Sequence, residues 1–378
     1  MRVFHICNNY VSSLVHEQLI TRLANPIFQL KQFVYVPVRK VFLEKNDNAN
    51  YKIKYDYVIS PGVIKYFPLL KVLKVFWLGY KKYRTDLNKS NVLFGHTLWS
   101  DGMVCLLLSK ILKKDYVICV RNTDLNVFLR YLFHYRMLHK LIVKNARYII
   151  FISYANYYQA MRKYPTIFNI PDKIKIIPNG VDEYWLENIN YGKLDVCSEG
   201  QKIFKLIYVG RLDGNKNLDG TYKACCQLLQ ENRDLHWTII GGERTELINL
   251  LNIKYLPEWI SHYPTTNDKG FIKEKYREND IFIMPSFRET FGLVYVEAIT
   301  QGCVCICSTG QGIDGFFERF NIIETCIPTD TCSIKNAIVN VQKKRNYPGS
   351  GKLNSYIIDN FSWDSISKKY YEILRGRF

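Results

Sequence analysis

The chain has 378 residues, of which 48% are hydrophobic and 15% aromatic, and it carries a formal net charge of +18. That length exceeds an ordinary single domain and suits two α/β domains of about 180 residues, each with its own core. No uninterrupted apolar run reaches the roughly 18–20 residues that cross a bilayer as a helix. The charge is uneven: residues 1–180 hold 28 Lys and Arg against 9 Asp and Glu, a net +19, whereas residues 181–378 hold 24 against 25, a net −1. All of the excess lies in the first half, which points to a polyanionic partner there, either a membrane surface or a nucleic acid. The 11 cysteines have no regular framework spacing and form no Cys-x2-Cys unit, so neither a disulfide scaffold nor a metal site is expected. An odd number in a chain of this size suggests a reducing cytoplasm.

In chain order, the first run, Met1-Arg2-Val3-Phe4-His5-Ile6-Cys7-Asn8, is too short for a secretory signal and reads as a first strand. Strands are expected at 3–7, 32–36, 57–60, 92–94, 116–120, 148–152 and 174–177. Helices are expected at about 12–23, 66–83, 99–113, 125–145 and 154–163. The theme repeats with strands at 206–209, 237–240, 259–262, 281–284 and 304–308, and helices at about 217–232, 244–252, 270–277 and 293–301. Such alternation predicts two mostly parallel, doubly wound sheets. Residues 190–201, polar and Gly-containing, read as a loop, and the domain junction is placed at about 179–185. Phe361-Ser362-Trp363-Asp364 opens a final helix, with Ser362 as its N-cap.

Two motifs in the second half carry chemistry. Gly210-Arg211-Leu212-Asp213-Gly214-Asn215-Lys216-Asn217 follows the strand at 206–209 and sets two cations five positions apart across a turn, where they can converge on one anion. Pro285-Ser286-Phe287-Arg288-Glu289-Thr290-Phe291-Gly292-Leu293-Val294-Tyr295-Val296-Glu297-Ala298 holds two carboxylates eight positions apart. Gly292 frees the turn between them, so that N–H groups at a helix start can face a phosphate. Glu289 precedes the turn and Glu297 follows it within the helix, so the two address different ends of an extended ligand. Cations for a diphosphate, a helix start for its charge and carboxylates for hydroxyls together describe a nucleotide-sugar site.

On Gly210-Arg211-Leu212 with Lys216-Asn217, the Glu289-x7-Glu297 pair, Pro178-Asn179-Gly180-Val181-Asp182 and Ile239-Ile240-Gly241-Gly242, the chain resembles the retaining glycosyltransferases of the GT-B fold in glycosyltransferase family 4, also called glycosyl transferases group 1. The resemblance is strong over about 170–310. It implies an N-terminal acceptor-binding, membrane-facing Rossmann-like domain over 1–180, a nucleotide-sugar donor domain over 181–360, and a terminal helix, 361–378, that returns to the first domain. It further implies that Arg211 and Lys216 bind the diphosphate and stabilise the departing nucleotide. Glu297 would hold the ribose hydroxyls and Glu289 a hydroxyl of the transferred sugar, with further donor contacts at Phe291, Gly292 and Leu293. No Asp-x-Asp occurs, so no metal is expected on the diphosphate and no cofactor beyond the donor. A UDP-sugar is favoured over a GDP-sugar, with base contacts about His262-Tyr263-Pro264.

The first half departs from the family pattern. His96 follows the strand at 92–94 where relatives often carry a histidine near the cleft, although a lone histidine there is as readily structural. Arg121-Asn122-Thr123-Asp124 stands where many relatives have His-Gly. Either Asp124 or Asn122 takes over contact with sugar or acceptor, or Asp124 pairs with Arg121 and caps the next helix. Asn8-Asn9-Tyr10-Val11-Ser12 replaces a glycine pair, which makes Asn9 a candidate acceptor contact beside His96, Arg121 and Asn122.

The stretch from Lys65 to Arg84 is basic and apolar, with Lys71, Lys74, Lys81 and Lys82 near helical spacing. It reads as an interfacial helix for anionic lipid or as a buried domain helix with snorkelling lysines. Arg130, Arg136, Lys140, Lys144 and Arg147 add a second basic helix. The expected protein is thus a cytoplasmic enzyme, peripheral at the inner face of the plasma membrane, that extends a glycan, or a lipid-linked glycan, in polysaccharide or lipopolysaccharide assembly. Alternatives are a transferase acting on a soluble small acceptor and a basic nucleic-acid-binding protein. No nucleic-acid module is recognisable, so no nucleic acid is expected.

Overall fold

The computed structural model describes residues 1–11, 13–38, 54–59, 67–190, 204–343 and 350–376. The chain divides into two compact units. The first comprises Met1–Ile152, Asn156–Asn179 and Trp363–Phe378; the second comprises Ser153–Ala155 and Gly180–Ser362.

The first unit runs β1 (Arg2–Ile6), α1 (Leu14–Leu23), β2 (Lys31–Val38), β3 (Lys54–Ile59), α2 (Pro68–Lys89), β4 (Val92–Gly95), α3 (Ser100–Leu112), β5 (Asp115–Val120), α4 (Leu129–Tyr131), α5 (Arg136–Asn145), β6 (Tyr148–Phe151), α6 (Tyr154–Lys163), α7 (Pro165–Phe168) and β7 (Ile174–Ile176). Its strands pair in parallel in the order β3-β2-β1-β4-β5-β6-β7. The second unit runs α8 (Glu183–Glu187), β8 (Phe204–Val209), α9 (Leu218–Gln230), β9 (Leu235–Ile240), α10 (Arg244–Leu251), β10 (Ile260–Tyr263), α11 (Lys269–Glu278), β11 (Ile281–Met284), α12 (Leu293–Thr300), β12 (Val304–Ser308), β13 (Ile323–Cys326), α13 (Thr331–Lys343) and α14 (Ser350–Phe361). Its parallel order is β10-β9-β8-β11-β12-β13. The last helix, α15 (Trp363–Arg375), belongs to the first unit.

Both sheets reverse direction once. In the first unit the chain winds outward from β1 to β3 and then restarts on the far side of β1 with β4; in the second it restarts beside β8 with β11. In an open α/β sheet this switch point, beyond the carboxyl ends of the two central strands, is where a crevice forms and ligands bind. The central strands β1, β4, β5, β8, β11 and β12 are buried on both faces because helices cover both. On β1, Phe4 and Ile6 enter one core with α2, α3 and α5, while Val3 enters another with Leu19 and Leu23 of α1 and Ile366, Tyr370 and Ile373 of α15. Period-two alternation therefore sorts the side chains at each strand end onto opposite faces.

The structure differs from the sequence reading in several elements. The single helix expected over 125–145 is broken: a π-helical turn, Asp124–Phe128, leads through α4 and a 3-10 turn, Phe133–Tyr135, into α5. Leu132, at φ −97 and ψ 44, leaves helical geometry, and the break lets Tyr135 stack on Trp99 at 5.1 Å. α2 starts with Pro68 at its first turn and runs on to Lys89, six residues beyond the expected end, through a kink at Tyr83. β13, α13 and α14 were not expected. Residues 191–201 of the expected loop, and Ser12, Ser60, Lys65 and Tyr66, lie outside the described residues.

Candidate functional site

The switch point of the second unit gathers the two motifs. After β8, Asp213 accepts a hydrogen bond from the Asn215 N–H at 3.0 Å, which folds Gly214–Lys216 into a 3-10 turn, and Asn217 adopts φ 58 before α9. This turn is clasped to the loop after β11. The Asn215 side-chain amide donates to the Arg288 carbonyl at 2.8 Å, and the Phe287 N–H donates to the Asn215 carbonyl at 2.8 Å. Lys216 Nζ then lies 2.7 Å from Glu289 Oε2, with the two side chains only 17% and 14% exposed. Arg211 is exposed and makes no ion pair among the described residues, so its whole guanidinium fork is available to an anion.

Glu289 is held on every side. Its N–H donates to Gln311 Oε1 at 3.1 Å, its carbonyl accepts from the Gly312 N–H at 3.1 Å, and its Oε1 accepts from the Thr290 N–H at 3.0 Å. Two glycines are required for this. Gly312, at φ 54, would place a Cβ 2.9 Å from Glu289 Cγ and 2.9 Å from the Phe291 carbonyl. Gly292, at φ 80, would place one 2.6 Å from the Tyr295 ring. Any side chain there displaces Glu289 or Tyr295 as well as straining the backbone. Gly292 is also the N-cap of α12, and no side chain caps that end. The first-turn N–H groups of Leu293 and its successor therefore stay open at the positive end of the helix dipole. Phe291 does not offer its side chain: the ring is buried edge-on against Phe316 at 5.4 Å, leaving only its backbone for a ligand.

Glu297 lies in the second turn of α12, eight residues from Glu289. Its carboxylate forms no ion pair among the described residues. Burial pushes this carboxyl up to about 7; Asp182 raises it further and Lys269 opposes. Asp182 itself caps α8 through the Tyr184 N–H at 3.0 Å and pairs with Lys269 at 2.7 Å. The Pro178-to-Asp182 motif thus ends in an ion pair that tunes Glu297, a connection the sequence did not signal. At the neighbouring strand end, His262 Nε2 is 2.9 Å from the Gly241 carbonyl, and Thr265 Oγ1 accepts from the Gly242 N–H at 2.8 Å.

At the switch point of the first unit the expected residues lie deeper than the sequence suggested. Asp124 is fully buried. It accepts N–H bonds from Leu98 at 3.1 Å, Trp99 at 3.2 Å and Arg121 at 2.8 Å. It faces no open space for a sugar; it fastens the turn before α3 rather than capping the helix after itself. Arg121 does not pair with it side chain to side chain: its Nε donates to the His96 carbonyl at 3.3 Å, and its Nη1 reaches Asn179 Oδ1 at 3.5 Å. Burial lifts Asp124 to about 6, its three backbone bonds opposing. His96, expected at the cleft, is fully buried between His5 Nδ1 at 3.1 Å and His16 Nδ1 at 3.2 Å. Burial first, then the neighbouring imidazoles and Arg121, holds His96 well below the usual histidine range. Asn9 is exposed, and Asn122 is partly exposed and hydrogen-bonded to Asn126. Of the four acceptor candidates, only Asn9 is exposed.

Residues 198–347, most of the second unit, match the family described as Glycosyl transferases group 1. An uncharacterised glycosyltransferase from Methanocaldococcus jannaschii is 24% identical over 230 residues, covering 56% of this chain and 56% of that protein. The UDP-Gal:alpha-D-GlcNAc-diphosphoundecaprenol alpha-1,3-galactosyltransferase of Escherichia coli is 30% identical over 192 residues, covering 46% of this chain and 48% of that protein. The chain thus spans about half the length of these curated relatives. The solved sucrose-phosphate synthase of Thermosynechococcus elongatus superposes with a TM-score of 0.70 at 16% identity, covering 100% of this chain and 99% of that one. The second unit therefore carries a glycosyl transferases group 1 domain, and the chain has the two-Rossmann GT-B fold.

Proposed function

We propose that the protein is a retaining glycosyltransferase of family 4 that moves a hexose from a nucleotide sugar to a lipid-linked glycan in surface polysaccharide or lipopolysaccharide assembly. The observation that carries the reading is the Lys216–Glu289 pair, clasped at the switch point of the second unit beside the uncapped start of α12. Arg211 offers its free fork, and Lys216 its remaining donors, to the diphosphate, while the α12 N–H groups take the residual charge. Together they stabilise the departing nucleotide without a metal on the diphosphate. Glu289, with its backbone immobilised, accepts from a hydroxyl of the transferred sugar, and Glu297 accepts from the ribose. No side chain is assigned as nucleophile; the leaving phosphate takes the acceptor's proton.

The curated relative named above for transfer onto a diphosphoundecaprenol substrate supports a lipid-linked acceptor and a UDP-sugar. The surface of the first unit supports a peripheral place at the inner face of the plasma membrane. Along α2, Leu70, Leu73 and Trp77 (54% exposed) lead into exposed Lys81 and Arg84. Around α4 and α5, Tyr131, Phe133, Met137 (71% exposed) and Leu141 lie among exposed Arg130, Arg136, Lys140 and Lys144. Apolar side chains interleaved with cations suit anionic headgroups, and no described helix is long and apolar enough to cross a membrane.

The test is transfer of labelled sugar from UDP-sugars to polyprenyl-diphosphate glycans in the presence of EDTA, with the anomeric configuration of the product read by NMR. Transfer with the donor's anomeric configuration kept supports the reading. Inversion overturns the retaining mechanism, and dependence on added divalent cation overturns the metal-free diphosphate site.

A further inference from the structure

Strand alternation in the first unit gathers metal-ligating groups that no sequence motif links. His5 lies on β1 and Cys7 just beyond it, two positions apart; His96 lies two positions beyond Phe94 of β4. All three therefore share one face of the sheet. His16 comes from α1, which covers that face. Cys7, His16 and His96 are all buried, and one ligand atom from each lies within 4.8 Å of the others.

The spacing suits coordination. His16 Nδ1 and His96 Nδ1 face each other at 3.2 Å. Two imidazole nitrogens on a tetrahedral zinc ion, each about 2.0–2.1 Å from it, stand about 3.3 Å apart. The other ring nitrogen of His96 lies 3.1 Å from His5 Nδ1, the kind of partner that orients a metal-bound imidazole.

We propose that Cys7, His16 and His96 bind one zinc-class divalent ion that clamps the end of β1, α1 and the turn after β4 together. One thiolate with two imidazoles selects zinc over magnesium or calcium. The ion is separate from the diphosphate chemistry of the second unit. With its ligands buried, it is captured as the chain folds.

The full chain is produced in minimal medium supplemented with zinc, or in parallel with cobalt, and dialysed in metal-free buffer. Elemental analysis is expected to find about one equivalent of zinc, and the cobalt form to show a thiolate-to-cobalt charge-transfer band. Cys7→Ser abolishes that band and His16→Gln lowers the metal content, whereas C332S, at an exposed cysteine, leaves both intact. A folded wild-type chain with only traces of zinc and no charge-transfer band overturns the proposal, as does a band that survives Cys7→Ser. The wild-type metal content and spectrum decide the matter even where a core variant fails to fold.

Discussion

Lys216 Nζ and Glu289 Oε2 lie 2.7 Å apart although 73 residues separate them, and the pair locks the loop after β8 to the loop after β11. A lysine so engaged is aimed: one ammonium proton is committed to Glu289, which fixes where the other two point.

If the pair acts as one unit, its losses will not add. Lys216→Ala and Glu289→Gln are each expected to lower kcat/KM for sugar transfer by about 10²–10³-fold. The double variant should fall within about tenfold of the worse single one. Steady-state kinetics on the three variants check this, and fully multiplicative losses would mean that the residues act separately.

Glu297 predicts a pH dependence in donor affinity. Its carboxyl titrates at about 7 in the folded chain because of burial, then Asp182, against an ordinary value of 4.5. The ionised form, the better acceptor for ribose hydroxyls, therefore fills in only as pH rises through 7. At pH 6 only about a tenth is ionised, so donor affinity should improve by up to about tenfold between pH 6 and 8. Glu297→Gln should bind more weakly at pH 8 and show a flat profile, as read by calorimetry. For stability the sign is opposite: the folded chain keeps this proton longer than the unfolded one, so the contribution falls as pH rises from about 4.5 to 7.

Much of this was legible in the sequence, for physical reasons. Period-two apolar runs and helical periodicity located nearly all central strands and helices, because a buried parallel sheet needs continuous apolar strands. The two motifs of the second unit were legible because each sits at a strand end, where a loop must turn. What the sequence could not show were relations across distance: the Asn215–Arg288 clasp, the Asp182–Lys269 pair beside Glu297, and the meeting of Cys7, His16 and His96. A Cys-x2-Cys motif is a local spacing, whereas this cluster is assembled by sheet topology. Asp124 and His96 follow strands and so suggest cleft residues, but Asp124 is bonded to the turn before α3 and His96 is buried against His5 and His16.

Asp124 is a positioning residue by this geometry. Asp124→Ala leaves three N–H groups, two of them fully buried, without their acceptor and should cost about 3 kcal/mol of stability in denaturant titration. Calorimetric affinity for UDP, which the proposed function assigns to the second unit, should be unchanged. Asp124→Asn keeps one oxygen and costs less. Because burial raises the folded value to about 6 from 3.8, the wild-type advantage over Asp124→Asn should shrink as pH rises between those values. A large loss of UDP affinity in a stable Asp124→Ala protein would contradict this assignment.

The first-unit surface predicts salt-sensitive membrane binding. Trp77→Ser with Leu73→Ser, and separately Lys81→Glu with Lys140→Glu, should each weaken sedimentation with anionic vesicles by at least about fivefold, at about 1 kcal/mol per basic residue near the surface. Zwitterionic vesicles should bind weakly throughout. Equal binding to both vesicle types, or strong salt-sensitive binding to duplex nucleic acid instead, would contradict a membrane role.

The central claim is that the loops after β8 and β11 hold the diphosphate of a nucleotide sugar. Calorimetric titration of the purified chain with UDP, GDP and their sugars in EDTA, beside Arg211→Ala, tests it most directly. Micromolar binding of one nucleotide that is lost in Arg211→Ala is the predicted result. Absence of binding by every nucleotide, from a folded protein, would contradict it.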